Sequence, residues 1–288
     1  MPPLRLLFTI DFDMKLILKT LLFVISILVL RIIFDSQLRV NVHSKLYSCQ
    51  KVHQIKMVDT LIIGDSRVMN GVDPELISKN TLNFGFSSMS YTKTYLDYIL
   101  RHKSKLKRVI IGISVQSLTS YMEDKSLLIA QEKNCSLFGT YFDELFMQSL
   151  QFDRNLLKRF RVPRKNASNN GYHSLGNNVY GQAAIEPYLQ NYQQFKFDSK
   201  YFLNLLKFKM ELDKYHIKSY FVLMPSIAAK YDYDKKISGI NLEELKYLFN
   251  KNSISLLRYP KEDLEFVDGD HLTRRSSIKF SKWLKSKL

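Results

Sequence analysis

The stretch VDTLIIGDSR, from Val58 to Arg67, is the part of the sequence that predicts the fold. A short apolar run ends at Ile63 and is followed at once by the residues GDSR. A run of this length that stops at turn residues is typical of a buried β-strand leading into a loop. At such a strand-to-helix turn, the hydroxyl of Ser66 is expected to be exposed and to lie near a helix N-terminus.

The rest of the chain repeats the alternation of short apolar runs and amphipathic stretches. The further strand candidates are Leu82 to Phe86, Arg108 to Ile113, Ile217 to Met224 and, more weakly, Ile254 to Leu257. Helical patterns cover Tyr91 to His102, Phe197 to Tyr215, Leu242 to Asn252 and Thr273 to Lys287. This alternation predicts an α/β domain with a mostly parallel sheet, over residues 56–288.

Residues 115–195 interrupt that alternation. They are rich in Asn, Gln and Tyr, and NASNNG at 166–171 is a loop signal. Long insertions in α/β folds commonly cover the carboxyl edge of the sheet, where ligands bind. We therefore predict a lid or substrate-recognition insertion here.

The N-terminus has a different character. Leu16 to Phe34 is apolar apart from Lys19, Thr20, Ser26 and Arg31, and it is close to the roughly 20 residues that cross a bilayer as a helix. No small-x-small cleavage site follows it. The sequence predicts an uncleaved signal anchor with a transmembrane helix in residues 1–35 and a linker at 36–55. The alternative is a buried core helix.

Composition narrows the class of protein. Apolar residues make up 45% and charged residues 24% of the 288 residues, as in globular proteins. The two cysteines, Cys49 and Cys135, exclude a disulfide scaffold and a four-cysteine zinc site, and leave open one bridge or two free thiols. The net charge of +16 favours anionic partners such as nucleic acid, acidic lipid or acidic glycan. A Lys-rich, solvated surface explains it equally well.

A second motif, DGDHL from Asp268 to Leu272, lies just before the final helix. A histidine can take the proton of a serine, and a carboxylate can hold the imidazole in the right tautomer. Asp268 is three residues before His271, so it can reach the ring nitrogen that faces away from Ser66. Asp270 is expected to point elsewhere. The order of the two motifs, after the first strand and before the last helix, favours a Ser66–His271–Asp268 triad.

With these blocks in this order, the chain resembles the SGNH, or GDSL-like, hydrolase superfamily. The resemblance covers roughly residues 56–288 outside the insertion. It implies a flavodoxin-like three-layer α/β/α fold with a five-stranded sheet. It also implies that Ser66 is the nucleophile, that Asp268 and His271 are orienter and base, and that no cofactor is needed.

The oxyanion-binding blocks are only partly present. Asn83-Phe84-Gly85 matches the second block, so the resemblance assigns the backbone N–H groups of Ser66 and Gly85 to the oxyanion. The third block normally supplies an Asn side chain, but the strand end here reads GISVQS at 112–117. Ser114 or Gln116 is a candidate substitute, and the alternative is an oxyanion hole that rests on the backbone N–H groups of Ser66 and Gly85. Loss of one donor lowers the rate by about 10²–10³.

The pattern GDSR, then NGVDP at 70–74, then Asn-x-Gly is similar to membrane-anchored bacterial envelope proteins of this superfamily. Several of these move or remove acyl groups on polysaccharides, some beside a multi-pass membrane O-acyltransferase. That resemblance implies an acylated, chiefly acetylated, glycan substrate. It also implies a single-pass protein of the bacterial cytoplasmic membrane whose catalytic domain faces outward.

Three other residues are candidates for substrate binding. Arg67 could bind a carboxylate or phosphate, or else form a structural ion pair. Gln116 lies at a strand end, and His173 lies in the insertion, where it could touch a sugar or simply be exposed. The remaining histidines show no ligand spacing with Cys, Asp or Glu, so we predict no metal site.

Three functions remain open. The first is an SGNH-type serine acyl esterase or O-acyltransferase on envelope glycans. The second is a catalytically weak or inactive accessory or glycan-binding subunit of an O-acyltransferase system, which the missing third-block Asn favours. The third is a basic protein that binds nucleic acid or anionic lipid. Only the charge supports the third, and no phosphate loop, zinc finger or RNA-binding signature accompanies it, so we predict no nucleic-acid partner.

Overall fold

The computed structural model describes residues 4–34, 54–86, 89–119, 196–227, 235–236, 238–260 and 263–288, with side chains of the first helix described over 14–29. By its internal contacts the chain divides into two compact units, residues 1–46 with 134–164 and residues 47–133 with 165–288. Most of the predicted insertion, including His173, lies outside the described residues, as do Cys49 and Cys135 and nearly all of the predicted linker. The predicted domain boundaries stay predictions.

The first unit contains helix α1, Leu4–Phe34. It begins well before the apolar run identified in the sequence, and its first half carries Asp11, Asp13, Lys15 and Lys19. Within the described ranges, no helix combines the length with the apolar character that crossing a membrane requires. A helix is therefore present where the signal anchor was expected, but a transmembrane helix is not supported.

The second unit is built on a five-stranded sheet in its described part. The strands are β1 Thr60–Ile63, β2 Thr81–Asn83, β3 Arg108–Ile113, β4 Lys218–Leu223 and β5 Leu256–Leu257. Their spatial order is β2-β1-β3-β4-β5, and every neighbouring pair is parallel. This order is that of flavodoxin-like folds. The prediction of a five-stranded, mostly parallel sheet is confirmed.

Five described helices belong to this unit. They are α2 Ser66–Gly71, α3 Lys93–Arg101, α4 Ser199–Lys214, α5 Leu242–Lys251 and α6 Arg274–Lys285. Their starts follow from capping residues, which satisfy the free N–H groups of a first helical turn. Asn241 and Glu244, for example, form a reciprocal capping box at the start of α5.

Two hydrophobic cores lie on opposite faces of the sheet, because successive side chains of a strand point to opposite sides. Leu61 and Ile63 of β1 pack with residues of α3, α4 and α5, whereas Ile62 packs with Val68 of α2 and Phe280 of α6. Helices therefore pack on both faces of the sheet, which is consistent with the predicted three-layer arrangement. Strands covered on both faces read as unbroken apolar runs, which is the pattern of TLII and RVIIGI.

From β1 the chain passes to β2, which lies on one side of β1. From β2 it crosses back to β3, which lies on the other side of β1. Ligands of open α/β sheets bind at the carboxyl ends of strands where the order reverses in this way. Here that point lies between β1 and β3, and Ser66 comes directly after β1. The topology therefore places the GDSR motif where such folds bind ligands.

Helix α2 packs so closely on β3 that a side chain at Gly112 has no room. A Cβ at Gly112 would overlap Cγ2 of Val68 and come within 3.1 Å of Sδ of Met224. Valine in a helix has one strongly preferred rotamer and cannot turn away. We expect Gly112→Ala to lower the free energy of unfolding by about 1–3 kcal/mol, as measured by denaturant unfolding.

The matched control removes the obstructing methyl groups. In a Val68→Ala background, Gly112→Ala should cost clearly less than it does alone, which a double-mutant cycle measures. Strictly additive losses would show that the contact between α2 and β3 is not what excludes a side chain at Gly112.

Candidate active site

Ser66 is held at the carboxyl end of β1 by a tight turn and a helix cap. Gly64 has a φ of +152° and would press a Cβ into Val68, so this turn requires glycine. Asp65 then caps α2, and its Oδ1 accepts a hydrogen bond of 3.0 Å from the backbone N–H of Arg67. Ser66 is therefore the first helical residue, and its side chain is half-buried.

The second oxygen of Asp65 ties this turn to the neighbouring strand. The hydroxyl of Ser114, just beyond β3, donates to Asp65 Oδ2 at 2.7 Å. Ser114 Oγ in turn accepts from the N–H of Ser117 at 3.0 Å. Because both residues are buried, these bonds replace the water that would otherwise solvate the carboxylate. The aspartate of GDSR is thus a structural residue that fixes the Ser66 turn.

His271 is positioned by a turn that Asp268 organises. Asp268 Oδ1 accepts the backbone N–H groups of Asp270 at 3.1 Å and of His271 at 2.9 Å, which is the local hydrogen bonding that makes aspartate a turn residue. Thr273 caps α6 two residues later. The buried Phe280 of α6 lies in the hydrophobic core, so the histidine directly precedes a helix that is anchored by packing.

The two motifs come together as a hydrogen-bonded chain. Nε2 of His271 lies 2.8 Å from Oγ of Ser66. On the other side of the ring, Nδ1 lies 2.9 Å from Oδ2 and 3.0 Å from Oδ1 of Asp268. Nδ1–H donates to the carboxylate, which leaves Nε2 able to accept the serine proton when the ring is neutral. This is the geometry of a serine nucleophile, a base and an orienting acid.

Asp270 does not point elsewhere, contrary to the expectation from the sequence. Its Oδ1 lies 3.0 Å from Nδ1 of His271, so two carboxylates face the same ring nitrogen. Its Oδ2 accepts from Nε of Arg67 at 3.0 Å and from Nη2 at 2.7 Å. The expectation failed because the buried Arg67 draws Asp270 inward. Arg67, which follows Ser66 in the GDSR motif, was the sequence signal that could have indicated an ion pair with Asp270.

Arg67 accordingly takes the structural one of its two predicted roles. Its side chain is 2% exposed and pairs with Asp270, so it does not face solvent as a substrate-binding cation would. Nη2 also donates to Oε1 of Gln116. The guanidinium thus links the end of β1, the end of β3 and the histidine turn.

The two carboxylates control the protonation of His271. Burial by itself lowers the pKa of the imidazole, because a charged ring is poorly solvated there. Hydrogen bonds and the negative charges of Asp268 and Asp270 outweigh burial and raise the pKa from 6.5 to about 10. The raised pKa favours the protonated form of His271 at neutral pH, and the neutral, basic form increases as the pH rises.

This shift makes the stability of the protein depend on pH. Below about pH 6.5 the histidine is protonated in both the folded and the unfolded chain, and the full stabilisation is present. Above that pH the unfolded chain loses its proton while folded His271 keeps it, so the stabilisation is lost between about pH 6.5 and about pH 10. We expect the free energy of unfolding to fall over this range, as measured by urea unfolding at several pH values. His271→Gln should show a flatter dependence; equal slopes would contradict the prediction.

The backbone donors assigned to the oxyanion differ from each other. Among the described residues, no acceptor takes the backbone N–H of Ser66, at the start of α2. The N–H of Gly85 donates to Oδ1 of Asn83 at 3.0 Å. A role for Gly85 in binding an oxyanion stays a prediction, and it requires that this hydrogen bond be exchanged for one to the substrate.

Asn83, at the end of β2, has a structural role. Its side-chain Nδ2 donates to the carbonyl oxygens of Val68 at 2.8 Å and Val72 at 2.7 Å, at the end of α2. Asn83 is fully buried. This side chain holds α2, which carries Ser66, against β2. It also accepts the hydrogen bond from the Gly85 N–H.

The two residues that the sequence offered as substitutes for an oxyanion-binding Asn, Ser114 and Gln116, have different roles. Ser114 is engaged with Asp65 and Ser117 and has no hydroxyl proton to spare. Gln116 is 4% exposed, and its Oε1 is held by Arg67. Its Nε2 is buried and has no partner within the described part of the chain. Of the two candidates, Gln116 is the one with a donor available.

Asp268, Asp270 and His271 also satisfy the distances for sharing a metal ion, with one potential ligand atom from each lying within 4.8 Å of the others. These groups are already engaged, Asp268 with His271, His271 with Ser66 and Asp270 with Arg67. This donor set is explained by orientation of the histidine.

No protein-family model and no curated protein matches the chain. Among solved structures, the crystal structure of a carbohydrate acetylesterase from Sinorhizobium meliloti is similar to it, with a TM-score of 0.35 and 13% sequence identity. The match covers 80% of this chain and 97% of that one. A likeness this weak does not assign a function, so the chemistry rests on the site itself.

Proposed function

We propose that this protein is an SGNH-type serine esterase that cleaves acyl esters, with acetyl esters of carbohydrate as the expected class. The observation that carries the proposal is the contact of 2.8 Å between Ser66 Oγ and His271 Nε2, with Asp268 on Nδ1. Three side chains from opposite ends of the domain meet in the order that nucleophilic catalysis requires.

The reaction follows from the geometry. Neutral His271 takes the proton of Ser66 as Oγ attacks the ester carbonyl, and the imidazolium that forms is stabilised by Asp268. The tetrahedral intermediate collapses, the C–O bond to the alcohol breaks, and the alcohol leaves with the proton from Nε2. Water, deprotonated by His271, then attacks the acyl-serine, the bond from the acyl carbon to Oγ breaks, and the carboxylic acid is released as Oγ of Ser66 takes the proton back from Nε2. A sugar hydroxyl in place of water gives acyl transfer by the same three residues.

The negative charge on the carbonyl oxygen needs hydrogen-bond donors. The Ser66 N–H is the first that we assign. The Nε2 group of Gln116 supports the proposal as a further donor at the position of the absent Asn, because a buried donor without a partner is costly unless a ligand supplies the acceptor. Gly85 completes the set if its N–H turns from Asn83 to the substrate.

The carbohydrate substrate comes from the resemblance of the GDSR, NGVDP and Asn-x-Gly segments to envelope proteins that act on polysaccharides. The outward-facing location at a bacterial cytoplasmic membrane and the multi-pass O-acyltransferase partner come from the same resemblance. Location and partner stay predictions from the sequence.

The deciding experiment measures reaction at Ser66 in the full chain. We expect labelling by a fluorescent fluorophosphonate and release of acetate from p-nitrophenyl acetate and from an acetylated xylan. The rate of labelling and the rate of acetate release, each corrected for the reaction without protein, should rise from pH 7 to pH 10. The basic form of His271 increases over that range. A folded protein that neither labels nor releases acetate at any of these pH values would contradict the proposal and favour the accessory, glycan-binding function.

A further inference from the structure

The buried ion pair between Arg67 and Asp270 joins the two segments of the candidate triad. Arg67 directly follows the nucleophile, and Asp270 directly precedes the base. Their side chains are each 2% exposed and approach to 2.7 Å. Ser66 and His271 are therefore each next in the sequence to one residue of this buried ion pair.

The geometry of the pair restricts it to one arrangement. Nε and Nη2 of Arg67 both donate to Oδ2 of Asp270, while Oδ1 of Asp270 faces Nδ1 of His271 at 3.0 Å. Gln116 accepts from the same Nη2. A planar guanidinium with several fixed donors holds its partners in direction as well as in distance, which a lysine does not.

Burying two charges is costly, and a buried pair often contributes little net stability relative to apolar residues of similar size. Its clearest effect here is on position. The Ser66–His271 contact joins residues 205 positions apart, and a misplacement of about 1 Å in a reacting pair can lower a rate by about 10²-fold.

We propose that the Arg67–Asp270 ion pair is a brace that holds Ser66 and His271 at reacting distance, which makes Arg67 and Asp270 positioning residues. The inference rests on the proposed serine chemistry for its effect on rate. The position of the His271 ring can also be followed directly, so the brace can be tested apart from that chemistry.

The test compares kcat and KM for p-nitrophenyl acetate in the full chain, with folding checked by thermal unfolding. We expect Arg67→Met and Asp270→Asn each to lower kcat by about 10²-fold with KM little changed, because the reacting pair and not substrate affinity is disturbed. Arg67→Lys should restore only part of the rate. Lys279→Met is the matched control, since it removes an ion pair with Asp263 in which both side chains are more than 40% exposed.

A double variant, Arg67→Met with Asp270→Leu, decides the matter if the single variants do not fold, because it removes both charges of the pair together. Asp65, whose Oδ2 lies 3.9 Å from Nη1 of Arg67, loses a nearby cation in this variant. A folded double variant with a low kcat supports the brace. A folded double variant with the kcat of the wild type would overturn it.

A different set of results is expected if the proposed esterase function is wrong. If wild-type protein does not react with a fluorophosphonate, the serine chemistry is wrong, and NMR signals of the His271 ring then test the brace. The Nδ1–H signal and the ring titration should change in Arg67→Met and not in Lys279→Met. Unchanged signals in both variants would overturn the brace.

Discussion

Ser66→Ala is expected to lower kcat for ester hydrolysis by about 10⁴–10⁶-fold, because the acyl-enzyme route disappears with its nucleophile. The remaining His271 and backbone donors lack the hydroxyl that forms the acyl-serine. Fluorophosphonate labelling should vanish as well, because the reagent needs the hydroxyl that Nε2 of His271 contacts at 2.8 Å. The measurements are gel fluorescence and initial rates at pH 9, with folding followed by thermal unfolding.

Two further variants make this result specific. His271→Ala should also abolish labelling, although its serine is intact, because the hydroxyl is no longer activated. Ser286→Ala, at the exposed end of α6, should label like the wild type. Labelling that survives in Ser66→Ala would place the reactive group elsewhere and refute the assignment.

Gly85→Ala is expected to damage both stability and activity. A Cβ at this position would lie 2.8 Å from the backbone nitrogen of Met69, 3.0 Å from Oδ1 of Asn83 and 3.2 Å from the carbonyl oxygen of Asp65. Two of these atoms belong to the backbone of the turn and helix that carry Ser66, so they cannot move independently of it. We expect the free energy of unfolding to fall by about 1–3 kcal/mol and kcat to fall by about 10²-fold.

Alanine keeps the backbone N–H, so this variant tests the close approach of the chain and not the loss of an oxyanion donor. Gly71→Ala, at the end of the same helix, is the control. Its Cβ would meet only the ends of the Met224 and Leu272 side chains, and alanine favours the helix. Equal effects of the two substitutions on kcat would contradict the argument.

The arrangement of the strands could be predicted from the sequence because it depends on local patterns. Apolar runs such as TLII and RVIIGI are long enough for strands and end at turn residues, and the amphipathic stretches between them have helical spacing. Parallel strands covered on both faces leave this record directly in the sequence. Ser66, Asp268 and His271 could be proposed because each lies at the end of such an element.

The local patterns could not place residues whose partners are distant in the chain. Asp270 was expected to point away from the ring because only its neighbours in sequence were considered, whereas its orientation depends on Arg67 at the other end of the domain. Arg67 was left between a substrate-binding role and an ion pair for the same reason. Whether Gly85 has a free N–H depends on the rotamer of Asn83, which packing against α2 decides.

At the N-terminus the local pattern predicted a helix correctly, but a membrane-spanning helix is not supported. The apolar run there predicted a helix, and Leu4–Phe34 is one, because helix formation depends on residues three and four apart. A membrane-spanning helix also requires an uninterrupted apolar length, and the described helices do not provide it.

The sequence by itself therefore determined the order of strands and helices, the position of the serine after the first strand and the spacing that lets Asp268 reach His271. These features depend on residues close together in the chain. Only the tertiary structure decided the contact of Ser66 with His271, the ion pair of Arg67 with Asp270 and the second carboxylate at Nδ1. Those depend on the packing of α2 and α6 on one face of the sheet, where buried charges must find partners that no local pattern specifies.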